Sequence, residues 1–148
     1  TIEKDFWNKR FKVYAQWKRD WFEQYRRQAE FMTLTGFTCR GYMERNQVVN
    51  YPIQGSAFHC LLWGLIQLVR HELRHQHMKS LIVGQIHDSM VADVPPEELD
   101  NFLALCQKVF SKMLQQNWPW LIVPIEIEAE VAPVGASWAD KEKYEIPA

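Results

Sequence analysis

The sequence predicts an α+β fold in which an antiparallel β-hairpin packs on long helices. Apolar and aromatic residues recur at helical spacing over several long stretches. Two short apolar strands flank a polar pair between Leu81 and Val94. The chain has 148 residues, of which 47% are hydrophobic, so it can form one small domain with its own core and is not intrinsically disordered.

The charge distribution leaves the binding partner open. The net charge is −1, which is less basic than is usual for a nucleic-acid-binding domain. Lys and Arg nevertheless outnumber Asp and Glu from Lys4 to Arg45, which is typical either of a surface facing phosphate or of a solvated helix face. The longest apolar run, Ala57 to Val69, is interrupted by polar residues and is too short for a membrane span. The charged, amphipathic stretch Thr1 to Arg10 predicts no secretory signal.

The cysteines indicate a reducing compartment. Cys39, Cys60 and Cys106 are odd in number, widely spaced and form no CxxC pair. We therefore expect three reduced thiols in a cytoplasmic protein.

The N-terminal third is predicted to be mainly helical. One amphipathic helix is expected from Phe6 to Glu30, and its aromatic stripe fits a core face better than a base-stacking platform. A short hairpin is expected at Phe31–Tyr42, and a short helix at Glu44–Val49 that ends before Pro52. A long helix is then predicted from about Gly55 to His75.

The stretch from Leu81 to Val94 predicts a second hairpin, with His87-Asp88-Ser89 at its tip between two buried arms. Pro95-Pro96 ends the second arm, and a helix to about Gln116 follows, with Glu97 and Glu98 near its positive end. A strand is expected over Ile122–Val131. Its alternating glutamates fit a solvated face better than a metal site.

Asp88 is the first candidate functional residue. A carboxylate at the tip of an apolar hairpin is suited to bind a divalent cation such as Mg²⁺, which prefers oxygen ligands. An aspartate that merely forms the turn explains the spacing equally well.

The segment from Asn50 to Ala57 is the second candidate. The amides of Asn50 and Gln54 are able to donate hydrogen bonds to the acceptors that every base pair presents in the minor groove. A helix-start turn with a capping role remains the alternative.

His71-Glu72-Leu73-Arg74-His75 matches the HExxH pattern of zinc hydrolases. The charged Arg74 and the polar end of the helix favour instead a basic helix C-terminus. A zinc metallohydrolase is retained as an alternative function, and a non-catalytic DNA-binding or scaffold fragment as a third.

Taken together, these segments resemble the family A DNA polymerases, the group of bacterial polymerase I and phage polymerases. Asn50 to Ala57 is similar to that family's N-x-P-x-Q-G-(S/T)-x segment, and Gln85 to Val91 to its V-H-D-E motif. Thr33 to Gly36 resembles the T-L-x-G-R hairpin, and Gly135 to Trp138 the C-terminal G-x-x-W. The resemblance covers nearly the whole chain, and the motifs occur in the family's order.

The resemblance implies a polymerase palm and nucleotidyl transfer from dNTPs to a primer 3′-hydroxyl with two metal ions. Asp88 would be the catalytic carboxylate that binds Mg²⁺. His87 would be catalytic and would contact the primer-terminal phosphate or sugar. Gln54, with Asn50, would contact the minor-groove edge of the new primer–template pair.

The chain also departs from the family pattern. Ser89 stands where relatives have Glu, and Asn46 about where many have Arg. The upstream D-Y-S-x-x-E-like motif and the fingers helix R-x-x-x-K-x-x-N-F-G-x-x-Y-G have no counterpart in the sequence. The chain is therefore predicted to be a single C-terminal palm segment (residues 1–148) of a larger or split polymerase, inactive alone. Residues 1–30 would lead in from the fingers side, and residues 50–131 would form the palm core.

The predicted partners are the remaining polymerase segment, primer–template DNA and a dNTP, with no membrane. The Ser89 variant and the short connections favour a phage origin.

Overall fold

The computed structural model describes residues 2–146, and the chain divides into two compact units. The N-terminal unit comprises the residues up to Ala57, and the C-terminal unit begins at Phe58. Both contain helices and small antiparallel sheets. No helix among residues 2–146 has the length and apolar character that a membrane crossing requires.

The helix predicted for residues 6–30 is interrupted. Helix α1 (Ile2–Asp5) continues into a π-helical turn, Phe6–Arg10, and helix α2 (Lys12–Gln28) begins only after Phe11, whose φ of −117° and ψ of 50° are not helical. Residues five apart lie about 140° apart around a regular α-helix. The 5.0 Å contact between the rings of Phe6 and Phe11 therefore requires the irregular backbone.

The aromatic stripe serves as core only in its second half. Tyr25 is buried, and it packs with Phe31 and Val48 in the core of the N-terminal unit. Phe6, Phe11 and Tyr14 remain exposed, so the prediction that the stripe forms a core face is wrong at its N-terminal end.

The first predicted hairpin is confirmed. Strands β1 (Glu30–Met32) and β2 (Thr38–Arg40) pair antiparallel, with Phe31 opposite Cys39. Gly36 in the connecting turn has a φ of +87°, a conformation that glycine adopts at little steric cost.

The two helices predicted on either side of Pro52 form one helix. Helix α3 spans Arg45–Gln67 with Pro52 inside it, and a π-helical segment, Leu68–Leu73, continues it. Proline normally breaks a helix because it removes one main-chain donor and crowds the preceding turn. The carbonyl left without that donor belongs to Val48, and the Trp21 indole N–H donates to it at 2.9 Å.

The core of the C-terminal unit lies between α3 and the helices that follow the second hairpin. Strands β3 (Leu81–Ile86) and β4 (Ser89–Asp93) pair antiparallel, with a bulge between Ile82 and Gly84. A 3₁₀ turn (Pro96–Glu98), helix α4 (Leu99–Gln107), a π-helical segment (Lys108–Met113) and helix α5 (Leu114–Asn117) follow. Leu68, Cys106 and Val109 are fully buried in this core.

The predicted strand Ile122–Val131 is only partly regular. Strand β5 covers Ala129–Val131 and pairs with β6 (Glu142–Tyr144), which follows a 3₁₀ turn at Trp138–Asp140. Side chains still alternate between half-buried and exposed from Ile125 onward, although this stretch has no ladder partner before Ala129.

The three alternating glutamates are exposed. Glu128 pairs with Lys143 and Glu130 with Lys141, so these two acids belong to a solvated face, as predicted.

Candidate functional site

A two-residue turn, His87–Asp88, joins β3 to β4 at the predicted hairpin tip, but Ser89, which was also expected in the tip, is the first residue of β4 and pairs with Ile86. His87 has a φ of +54°, which few residues other than glycine adopt. The Gln85 side-chain amide donates to the His87 carbonyl oxygen, and the Ser89 hydroxyl donates to the Ile86 carbonyl oxygen at 2.8 Å. These two bonds brace a strained turn in which His87 and Asp88 are both exposed.

One face of this hairpin is apolar and uncovered by the described residues, so the prediction of two buried arms is wrong for that face. Leu81 and Val83 are each 62% exposed, and Ile86 is 53% exposed. Ile82 and Ala92, on the opposite face, pack against the core of the C-terminal unit. A sheet has two faces, and the described part of this unit covers only one of them.

Glu98 holds the base of the hairpin. Its carboxylate accepts hydrogen bonds from the Lys79 and Ser80 main-chain N–H groups and from the Ser80 hydroxyl, at distances of 2.6–3.0 Å. The Lys79 N–H bond, followed by the Ser80 hydroxyl bond, lowers the pKa of Glu98 below its ordinary value. Glu98 therefore links the start of α4 to the residues that precede β3, a contact beyond the helix-dipole role that its position suggested.

Asn50 and Gln54 lie in the N-terminal unit on α3. They are four residues apart in a continuous helix, so they share one face, and both are exposed. Pro52, between them, is buried. The segment expected to be a helix-start turn is thus a helix interior that presents two amides to the outside.

The β1–β2 turn packs beside this part of α3. The Leu34 N–H donates to the Ser56 hydroxyl oxygen at 3.0 Å, and that hydroxyl donates to the Pro52 carbonyl oxygen. A β-carbon on Gly55 would lie 3.5 Å from the Thr33 methyl group, an ordinary van der Waals contact. Buried Ser56 therefore joins the hairpin turn to the helix turn that carries Gln54.

The structure brings the candidate residues together in two pairs. Asn50 and Gln54 share a helix face in the N-terminal unit, and His87 and Asp88 share a turn in the C-terminal unit.

The Asp88 carboxylate can serve as one ligand of a hard cation. It offers carboxylate oxygens, which Mg²⁺ prefers as ligands. Across residues 2–146, no group of three or more His, Cys, Asp or Glu side chains could hold a metal ion. An octahedral Mg²⁺ site on Asp88 needs further oxygen donors, such as water, phosphate or another carboxylate.

The HExxH pattern makes a structural contact instead of a zinc site. The rings of His71 and His75 are stacked with their centroids 6.3 Å apart. The Glu72 carboxylate is largely buried and binds the Lys108 ammonium at 2.8 Å. This ion pair ties the end of the long helix to the segment that follows α4.

All three cysteines are free thiols. Burial raises the pKa of Cys106 to about 12 and raises the pKa of Cys60 and Cys39 above their ordinary value. Their burial fits packing better than nucleophilic chemistry.

The model of DNA polymerase family A matches residues 8–140 of this chain. The chain belongs to DNA polymerase family A. As a family A chain it is 32% identical over 113 residues to DNA polymerase I of Lactococcus lactis subsp. cremoris, a match that covers 76% of this chain and 12% of the relative. It is 33% identical over 120 residues to the DNA polymerase of Bacillus phage SP01, covering 74% of this chain and 12% of that protein.

One solved structure has a similar fold. The POL domain of Pol1 from M. smegmatis, in complex with DNA primer-template and dNTP, is similar with a TM-score of 0.67 and 21% identity. The likeness covers 84% of this chain and 23% of that one, and it confirms the predicted α+β fold of a polymerase segment. The family A chain thus spans only a small part of the length of the relatives it matches.

Three residues make contacts that the sequence analysis did not predict and that hold the segments carrying the candidate residues. Trp21 and Ser56 bond main-chain groups of α3 or the adjacent hairpin, and Glu98 bonds the residues before β3. For Trp21 a signal existed, since a proline inside a helix leaves one carbonyl in need of another donor. For the other two, the partner lies about twenty residues away and no local pattern indicates it.

Proposed function

We propose that this chain is the palm-carrying segment of a DNA-directed DNA polymerase, with Asp88 and His87 in the active site. The observation that carries the proposal is the exposed His87–Asp88 turn at the tip of an apolar hairpin, in a chain that belongs to family A. The reaction is attack of a primer 3′-hydroxyl on the α-phosphate of a dNTP. A new O–P bond forms, the bond to the β-phosphate breaks, the hydroxyl proton is lost and pyrophosphate leaves.

In this proposal Asp88 would hold Mg²⁺ through its carboxylate oxygens. When bound, Mg²⁺ would supply charge stabilisation at the attacking and leaving oxygens. His87 is an imidazole within one residue of that carboxylate, and it would hydrogen-bond the phosphate or sugar at the primer end. Because the turn is braced by Gln85 and Ser89, both groups would be held without rearrangement.

The other proposed contact is with the duplex. Asn50 and Gln54 present amide donors from one exposed helix face, and minor-groove acceptors lie at equivalent places in every base pair. Such donors check the shape of a newly formed pair and do not select its sequence. The relative of known structure was solved with primer-template and dNTP, which supports these as ligands.

The proposal also requires the remaining polymerase segment as a partner. The sequence has no counterpart of the family's first acidic motif or its fingers helix. Two-metal catalysis needs carboxylates in addition to Asp88. The exposed apolar face at Leu81, Val83 and Ile86 supports a partner that covers the hairpin. Alone, the chain is therefore expected not to extend a primer.

The test combines the purified chain with a polymerase portion that carries the first acidic motif and the fingers helix, and measures extension of a labelled primer. Asp88→Ala should abolish extension while the two parts still co-purify. Asp93→Ala, an exposed aspartate at the other end of β4, is the matched control and should extend normally.

Normal extension by Asp88→Ala would contradict the proposed role. Salt-sensitive duplex binding without extension by the unsubstituted mixture would favour a non-catalytic DNA-binding fragment instead.

A further inference from the structure

Pro52 removes one main-chain hydrogen bond from α3, and Trp21 on α2 supplies a substitute donor. In an α-helix the N–H of residue 52 would donate to the carbonyl of residue 48, but proline has no N–H. Val48 is fully buried, so bulk water is not a ready substitute for that donor. The Trp21 indole N–H donates to the Val48 carbonyl oxygen at 2.9 Å and supplies the missing hydrogen bond.

A second anchor lies one turn further along α2. The Tyr25 hydroxyl donates to the Gly41 carbonyl oxygen and accepts a hydrogen bond from the Met43 N–H at 2.8 Å. Trp21 and Tyr25 are four residues apart and so share a helix face. Together they tie α2 to the chain immediately before and within the first turns of α3.

We propose that Trp21 is a positioning residue for Asn50 and Gln54. Its N–H replaces the amide that Pro52 lacks, and this bond fixes the helix turn from which the two amides are presented. The DNA-contact part of this inference rests on the proposed function. The part that concerns the helix turn rests only on the contacts within the N-terminal unit.

Trp17 provides the matched control. Its ring is stacked on that of Trp21 with centroids 6.0 Å apart, and both side chains are half-buried on α2. Within residues 2–146, only the Trp21 indole of this pair has a hydrogen bond to main chain. Changing each to Phe therefore separates loss of the N–H bond from loss of aromatic packing.

The first experiment is amide hydrogen exchange on the full chain. Trp21→Phe should accelerate exchange at residues 49–56 about tenfold, the scale of one lost hydrogen bond to a buried group, whereas Trp17→Phe should change it less than about twofold. Pro52→Ala restores a main-chain donor to Val48, so in that background Trp21→Phe should have little effect. Equal effects of the two tryptophan changes, or no rescue by Pro52→Ala, would overturn the inference.

The second experiment uses the same variants in the reconstituted polymerase. Trp21→Phe should raise KM for primer–template about fivefold with kcat nearly unchanged, and Trp17→Phe should leave both unchanged. An unchanged KM in Trp21→Phe would overturn the positioning role. Absence of extension by the unsubstituted mixture would overturn the proposed function, and the exchange comparison would then decide the helix-turn role by itself.

Discussion

Gly64 lies against the ring of Phe110 so closely that no larger residue fits between them. A β-carbon at position 64 would be 2.6 Å from Phe110 Cδ1 and nearer still to Cε1. Both residues are buried, and Gly64 belongs to α3 while Phe110 belongs to the segment after α4. This contact sets how closely the two helical segments of the C-terminal unit approach each other.

We expect Gly64→Ala to lower the free energy of unfolding by about 1–3 kcal/mol, because overlap with Phe110 outweighs the better helix propensity of alanine. Chemical denaturation of the full chain measures this. Gly84→Ala is the control, since its β-carbon would meet Val91 at 3.6 Å, an ordinary contact. Combining Gly64→Ala with Phe110→Leu should recover part of the loss. Additive losses in the double variant would contradict a direct overlap.

Gln54→Ala should weaken binding of the primer end by about 1–3 kcal/mol, the scale of a lost polar contact to DNA. The measurement is KM for primer–template in the reconstituted polymerase. Gln24→Ala removes an exposed glutamine amide from α2 and should have no effect. A primer-end role for Gln54 is excluded if both variants have the KM of the unsubstituted chain.

Glu98 should make the free energy of unfolding depend on pH. Its pKa is lowered in the folded chain, so its contribution to stability is present above the unfolded pKa and is lost as pH falls through the folded value. Glu98→Gln should therefore lower the free energy of unfolding near neutral pH, and the difference should shrink as pH falls from about 6 toward about 3. Glu97→Gln, at the exposed neighbouring position, is the matched control, since the bonds to Lys79 and Ser80 are made by Glu98. A constant difference across this range would exclude the carboxylate contacts as its source.

The cysteines should alkylate in order of their exposure. Cys39 is partly exposed, whereas Cys60 and Cys106 are buried, and the pKa of Cys106 is raised to about 12. Iodoacetamide at about pH 8 should label Cys39 first and Cys106 last, because the thiolate is the reacting form. In denaturant all three should react at similar rates. Early labelling of Cys106 in the native chain would indicate that the core opens more readily than the packing implies.

The local patterns predicted most of the secondary structure. Apolar residues at helical spacing located α2 and the second half of α3, Pro95-Pro96 located the start of the α4 region, and the polar pair between apolar runs located the β3–β4 turn. The order of the Asn50–Ala57 and Gln85–Val91 motifs identified the family that the comparisons then showed. These features depend on neighbouring residues only, which is why they are readable in the chain itself.

The remaining features depend on contacts between residues distant in sequence. Pro52 predicts a helix break, but α3 continues because Trp21, 27 residues before Val48, supplies the missing donor. Alternation alone would place Ile82 and Ile86 on one face of β3, but the bulge between Ile82 and Gly84 shifts the register, so Ile82 packs against the core while Ile86 is exposed. Periodicity assigns residues to faces, whereas burial is decided by what packs against each face.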